Sequence, residues 1–312
     1  MSLLVYHRGA AEYARLLQER LPKVDLLATD AEDAFFAHIG DAEILLAWRF
    51  PIEALAKARR LRWLQLTSAG VEHLLPARDL LSRVLVTNAS GIHAEPMADY
   101  TFGVMVMLHW GFPRLFRNQQ ARRWESQSTA PLAGGVLGVV GLGAIGGEIA
   151  RRAPAFGLDV IGVKRHPTPV TGVRRVVGPD RLHEVLPGCD FVVLVVPQTA
   201  ETRELIGERE LRAMKPTSFL INLARGSVVD EAALLRALRE RWIAGAALDV
   251  FTREPLPPEH PFWGMENVIL TPHISGEPDE YARRVVDVFA ENYRRWTAGD
   301  PLRNTVDLER GY

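Results

Sequence analysis

Three side chains able to handle a carboxylate and a proton lie in separate segments of this chain: Arg225, Glu254 and His273. Histidine is the usual group for proton transfer near neutral pH. A carboxylate beside it, such as Glu254, favours the imidazolium. Arginine presents a planar, permanently charged fork that matches a carboxylate. Each of the three stands beyond a short apolar run: 218–222 before Arg225, 245–249 before Glu254, and 268–270 before His273. Ligands bind an open parallel sheet at the carboxyl ends of its strands. Singly, Arg225 reads as a surface arginine and His273 as a loop histidine; it is their common placement that points to a site.

A second constellation is Gly141-Leu142-Gly143-Ala144-Ile145-Gly146, which reads G-x-G-x-x-G. It follows a strand-like run at 136–140 and opens a helix-like run at 147–156. In that context the first glycine allows the tight turn, the second lets backbone approach a pyrophosphate, and the third lets helix and strand pack closely. The pyrophosphate would sit on the free N–H groups of the helix N-terminus. After the next strand, 159–163, an acidic residue commonly holds the ribose 2′-OH. This chain instead has Lys164-Arg165-His166 there. Cations welcome a 2′-phosphate, and arginine binds one bidentately. The expected cofactor is therefore NADP(H) in preference to NAD(H), with Lys164 and Arg165 as the 2′-phosphate contacts. Pro197 ends the run 192–196, where a loop proline and a cofactor contact both fit.

These residues need a scaffold. Runs at 136–140, 159–163, 192–196, 218–222, 245–249 and 268–270 read as buried parallel strands with helical stretches between most of them, the βαβ pattern. A weaker alternation precedes them: strands at 3–6, 44–47, 64–66 and 85–86, and helices at 11–20 and 52–58. The expected fold is α/β, with two Rossmann-like doubly wound parallel-sheet domains and an interdomain active-site cleft. Because the glycine motif lies in mid-chain, the first domain is expected to be discontinuous, 1–98 plus 287–312, around a dinucleotide-binding domain at 99–286. Long helical patterns at 94–121 and 277–296 would carry the chain between them. In the first domain, Ala47-Trp48-Arg49-Phe50 follows a strand, so Trp48 and Phe50 would wall a substrate pocket. Arg49 fits a second carboxylate and a solvent-facing role equally. Tyr6 and His7 end another strand and would add polar contacts.

Bulk properties narrow the class. The 312 residues are 47% apolar with a net charge of −1, enough for sizeable cores and unlike a protein that binds nucleic acid by charge. No apolar run is long enough to span a membrane, and the N-terminus lacks signal-peptide anatomy, so a cytoplasmic location is expected. The one cysteine, Cys189, reads as a small buried hydrophobe in a reducing compartment. No residue is assigned to a metal.

The motifs at 141–146, Asn222-Leu223-Ala224-Arg225-Gly226, Asp249-Val250-Phe251-Thr252-Arg253-Glu254-Pro255 and Thr271-Pro272-His273-Ile274-Ser275-Gly276 together resemble, in order and spacing, the D-2-hydroxyacid dehydrogenase family. Thr67-Ser68-Ala69-Gly70-Val71-Glu72 resembles that family's substrate loop, and the aromatic residues near Trp48 resemble its glyoxylate/hydroxypyruvate reductases. The resemblance implies reduction of a small 2-keto acid by a nicotinamide cofactor in a homodimer. It assigns proton donation to His273, its support to Glu254, and the carboxylate and carbonyl to Arg225. The substrate would also meet Trp48 and the backbone of Ser68, Ala69, Gly70 and Val71. The cofactor would meet Gly141, Gly143, Ala144, Ile145, Gly146, Lys164, Arg165, Pro197, Thr202, Ala224, Arg225, Asp249, His273 and Gly276, with Asp249 at the nicotinamide end. The segment 110–123 is either a dimer arm or packing, and Trp124 either reaches a partner's pocket or, like Trp110, packs in the core or at an interface. Asp99-Tyr100 stands where relatives often show Glu-His. Glu254 argues against formate dehydrogenase, which has glutamine there. Two other readings of the same residues are a nucleotide-sensing corepressor-like binding module and a phosphite-type dehydrogenase.

Overall fold

In the computed structural model, which describes residues 2–311, the chain divides into two units. One runs to Ile92 and resumes at Pro278; the other is His93–Glu277.

The first unit holds β1 (Ser2–Tyr6), β2 (Asp25–Thr29), β3 (Ile44–Ala47), β4 (Trp63–Leu66) and β5 (Leu85–Thr87), all parallel, in the order β2-β1-β3-β4-β5. Alternate side chains of each central strand enter opposite cores, as the two-residue period of a strand requires. Leu4, Leu45 and Leu64 pack with α2 (Glu32–His38), while Leu3, Ile44 and Trp63 pack with α1 (Ala10–Arg20). The segment 52–57 forms a 3₁₀ helix rather than the expected α-helix, and β2 was not foreseen.

The second unit carries β6 (Val136–Val140), β7 (Asp159–Val163), β8 (Arg175–Val177), β9 (Phe191–Leu194), β10 (Phe219–Asn222), β11 (Gly245–Leu248) and β12 (Val268–Leu270). All are parallel, in the order β12-β11-β10-β9-β6-β7-β8. The order reverses between β6 and β9, which makes the end of β6 the switch point where such sheets bind ligands. Helices α3 (Ala94–His109) and α5 (Ala144–Arg152) cover one face through Phe102, Met105 and Ile149. On the other face lie α6 (Leu182–Val185), α7 (Glu208–Ala213) and α8 (Glu231–Arg239). The expected long helix at 94–121 is two helices, because Gly111 turns left-handed at φ 66° between α3 and α4 (Phe112–Gln120). Only glycine enters that region without a steric penalty.

The last helix, α9 (Tyr281–Ala298), packs Val285, Val286 and Phe289 against Trp63 and α1. It therefore belongs wholly to the first unit. The expected borders at 98/99 and 286/287 fall inside α3 and α9; the structure divides the chain before both helices begin.

Candidate active site

The glycine motif leaves β6 at the switch point. Gly141 has φ 106°, and a Cβ there would meet the Val195 carbonyl oxygen at 2.7 Å. A Cβ on Gly146 would lie 1.9 Å from the Gly141 carbonyl oxygen, so helix α5 can approach the turn only without one. Gly143 differs: nothing stands within 4 Å of the Cβ it lacks. It is the N-cap of α5 and has no side chain to satisfy the first-turn N–H groups. Two glycines thus serve the fold, and one leaves an open cradle of N–H donors where an anion fits.

At the end of β7, Lys164 Nζ donates to Thr168 Oγ1 at 3.2 Å, and Arg165 pairs with Glu201 at 2.5 Å. Nothing in the sequence pattern signalled Glu201, which lies on a different loop. Beyond β9, which ends at Leu194 rather than at 196, Thr202 donates to the Pro197 carbonyl at 2.6 Å and accepts from Thr199 N–H at 2.8 Å. The Thr202 hydroxyl is therefore engaged in shaping its own loop, a structural use beside its expected cofactor contact.

Arg225, Glu254 and His273 follow three adjacent strands, β10, β11 and β12, with Asn222 opposite Leu248 and Leu248 opposite Leu270. Asn222 pins the first loop: its side chain donates to the Arg225 carbonyl and accepts from Ala224 N–H. The Arg225 guanidinium donates to the Ala224 carbonyl at 2.8 Å. Gly226 brings this loop against the next one, since a Cβ there would lie 2.0 Å from the Phe251 carbonyl carbon. In that second loop Glu254 accepts the Phe251 N–H on Oε1 at 2.9 Å, which orients its Oε2 toward His273. His273 Nδ1 meets Oε2 at 2.8 Å, both side chains being partly exposed. An ionised carboxylate only accepts, so Nδ1 carries the proton of this bond, and Nε2 is the ring nitrogen left for a substrate.

Asp249 departs from the expected contact with the nicotinamide end. It is 0% exposed. Its Oδ1 accepts from Thr271 Oγ1 at 2.5 Å and from Ile274 N–H at 3.0 Å, and its Oδ2 accepts from Ser275 N–H at 3.0 Å. The carboxylate is turned into the protein and holds the loop that carries His273. Gly276 closes that loop, with His93 Nδ1 against its carbonyl at 2.8 Å.

In the first unit, the loop after β4 directs its carbonyls inward. Asn88 Nδ2 donates to the Ala69 carbonyl, and Ala89 N–H to that of Ser68. No acceptor among the described residues takes the N–H groups of Ser68, Ala69, Gly70 or Val71. Such a run of free N–H groups favours an anion. Trp48 is exposed, with the Arg49 guanidinium 5.0 Å from its ring centroid. Phe50 differs from the expectation: it is buried beside Phe35 in the core of the first unit, where Trp48 stays exposed. Tyr6 stacks on Phe35 at 4.3 Å, and His7 Nδ1 accepts from Gly9 N–H while burial pushes its pKa down. Both are packing residues more than polar contacts.

The chain has relatives among known proteins. The family model described as "D-isomer specific 2-hydroxyacid dehydrogenase, NAD binding domain" matches residues 102–275. A glyoxylate reductase of Korarchaeum cryptofilum is 35% identical over 82% of this chain and 79% of its own. A glyoxylate/hydroxypyruvate reductase A of Serratia proteamaculans is 31% identical over the full length of both. The crystal structure of a D-isomer specific 2-hydroxyacid dehydrogenase from Xanthobacter autotrophicus, in complex with NADPH and MES, is 33% identical. It superposes with a TM-score of 0.89 over 100% of this chain and 99% of that one. Among the described residues, no helix is long and apolar enough to cross a membrane. From the glycine cradle to the His273–Glu254 pair, and across the length of these alignments, the chain belongs to the D-isomer specific 2-hydroxyacid dehydrogenase family of oxidoreductases.

Proposed function

We propose that this protein reduces a small 2-keto acid to the D-2-hydroxy acid, with NADPH as the preferred reductant. The observation that carries the reading is the His273–Glu254 pair at 2.8 Å, beyond the carboxyl ends of the same parallel sheet as the glycine cradle. A reduced nicotinamide, when bound, supplies hydride to C2 of the substrate. Its pyrophosphate would lie on the N–H groups of Ala144 and Ile145 beside Gly143, which fits the open space there. Lys164 and Arg165 would hold a 2′-phosphate. Pro197, Thr202, Ala224 and Gly276 would border the cofactor.

The chain's own residues do the rest. His273 gives the proton on Nε2 to the carbonyl oxygen. Glu254 holds the imidazolium through Nδ1 and stabilises its charge. Arg225 and the free N–H groups of Ser68, Ala69, Gly70 and Val71 bind the carboxylate, and Arg225 stabilises the charge that develops on the carbonyl oxygen. Trp48 borders the substrate. The protein acts as a homodimer in the cytoplasm.

The test is a panel of glyoxylate, hydroxypyruvate and larger 2-keto acids, run with NADPH and with NADH. A higher kcat/KM with NADPH supports the reading. Preference for NADH overturns the cofactor assignment. Turnover of phosphite alone favours the phosphite-type enzyme, and tight NADPH binding without any turnover favours a sensor.

A further inference from the structure

Tyr100 lies on α3, far in sequence from the motifs, yet its hydroxyl is 2.6 Å from Thr271 Oγ1. Thr271 Oγ1 in turn donates to Asp249 Oδ1 at 2.5 Å. The proton directions are fixed by chemistry. An ionised Asp249 can only accept, so Thr271 spends its single proton there. Tyr100 must then be the donor to Thr271. Burial pushes the phenol up to about 12, so this proton stays in place through the working range of an enzyme. The chain of bonds ends on backbone: Asp249 accepts from Ile274 N–H and Ser275 N–H, the two residues after His273.

His273 itself needs such a clamp. Its φ of 56° lies in the left-handed region, which a residue with a Cβ rarely enters and holds only when its surroundings impose it. The Glu254 bond alone fixes one ring nitrogen; it does not hold the backbone turn. We infer that Tyr100 is a positioning residue, whose hydroxyl orders the Thr271–Asp249 relay that locks the His273 loop in its left-handed turn and aims the acid/base ring. As a statement about catalysis, this rests on the proposed role of His273 in keto-acid reduction. As a statement about the loop, it does not.

Two measurements separate these. In hydrogen–deuterium exchange on the unliganded protein, Tyr100→Phe and Thr271→Val should each speed exchange of the amides of Ile274 and Ser275, while Thr271→Ser, which keeps the hydroxyl, leaves them protected. In steady-state assays with glyoxylate, Tyr100→Phe and Thr271→Val should each lower kcat about tenfold with the Kd for NADPH unchanged, the double variant being little worse than either, as expected for links of one relay. Thr271→Ser should retain kcat. Unchanged amide exchange in Tyr100→Phe overturns the clamp. Faster exchange with an unaltered kcat overturns the positioning role. Wild-type protein inactive on every 2-keto acid would sink the functional reading and leave the exchange comparison to judge the clamp.

Discussion

Glu254 divides its carboxylate between its own loop, through Phe251 N–H, and His273 Nδ1. That division makes the two residues unequal under substitution. His273→Ala removes the proton donor, and kcat/KM for the keto acid should fall on the order of a hundredfold or more. The Kd for NADPH, measured by fluorescence titration, should change little, and an undiminished turnover would remove His273 from the role. Glu254→Gln keeps the shape but not the charge, so its loss should be smaller and confined to kcat. The cofactor end has its own asymmetry. Arg165 is already paired with Glu201, so a 2′-phosphate must compete with a carboxylate for the guanidinium. Exposed pairs of this kind are weak. Glu201→Gln should therefore tighten NADPH binding by no more than about fivefold and leave NADH binding unaltered. Equal effects on both nucleotides would place Arg165 away from the 2′-phosphate.

Strands β6 and β9 show how elements deliver these residues. Cys189 enters β9 with its Sγ donating to the Val185 carbonyl at 3.3 Å and filling the space above Gly138 of β6, where a Cβ would lie 2.7 Å from it. Burial pushes this thiol up from 9.0 to about 12. A raised pKa in the folded state contributes stability that is complete below the unfolded value and is lost as pH climbs from there through the folded one. Native protein at pH 8 should therefore resist a thiol reagent and become reactive on denaturation. Melting temperatures should begin to fall near pH 9, less steeply for Cys189→Ala; rapid labelling at pH 8 would contradict the burial. Tyr100 and Tyr13, also raised by burial, add to the fall in the same direction. The same elements explain what could be read from the sequence. The central strands were legible because each is a short, mostly apolar run, and the site residues because each stands a few residues beyond such a run. Strands β2 and β8 were not, since both are edge strands whose short apolar stretches, Leu26-Leu27-Ala28 and Val176-Val177, begin beside a charged residue and are only partly covered. The break at Gly111 was hidden inside a continuous helical pattern. Asp249 was read as a ligand contact because its motif matches the family; only the fold reveals that its carboxylate faces inward, to a relay assembled from α3 and the β12 loop. Phe50 failed for a similar reason, as sequence alone cannot say which side of a loop faces the core.

For the molecule as a whole, charge says little, since 37 basic and 38 acidic residues leave a net charge of −1. Apolar exposure says more. Trp124 is 99% exposed, and Trp110 and Phe116 of the same segment are 42% and 47% exposed. A large aromatic side chain standing wholly in water gains by being covered, and this segment carries one in Trp124. Burying Trp124 alone would remove roughly 200 Å² from water, worth about 5 kcal/mol before the costs of association. That is a substantial share of what a micromolar dimer requires, about 8 kcal/mol. The proposed homodimer would use this face. Light scattering on a sizing column should then give twice the 34.8 kDa of one chain. Trp124→Glu, which puts a charge where the partner would bury the ring, should shift the protein toward monomer at micromolar concentration without lowering its melting temperature when diluted. A wild-type mass of one chain at that concentration would overturn the dimer, and an unshifted mass in Trp124→Glu would move the interface away from this segment.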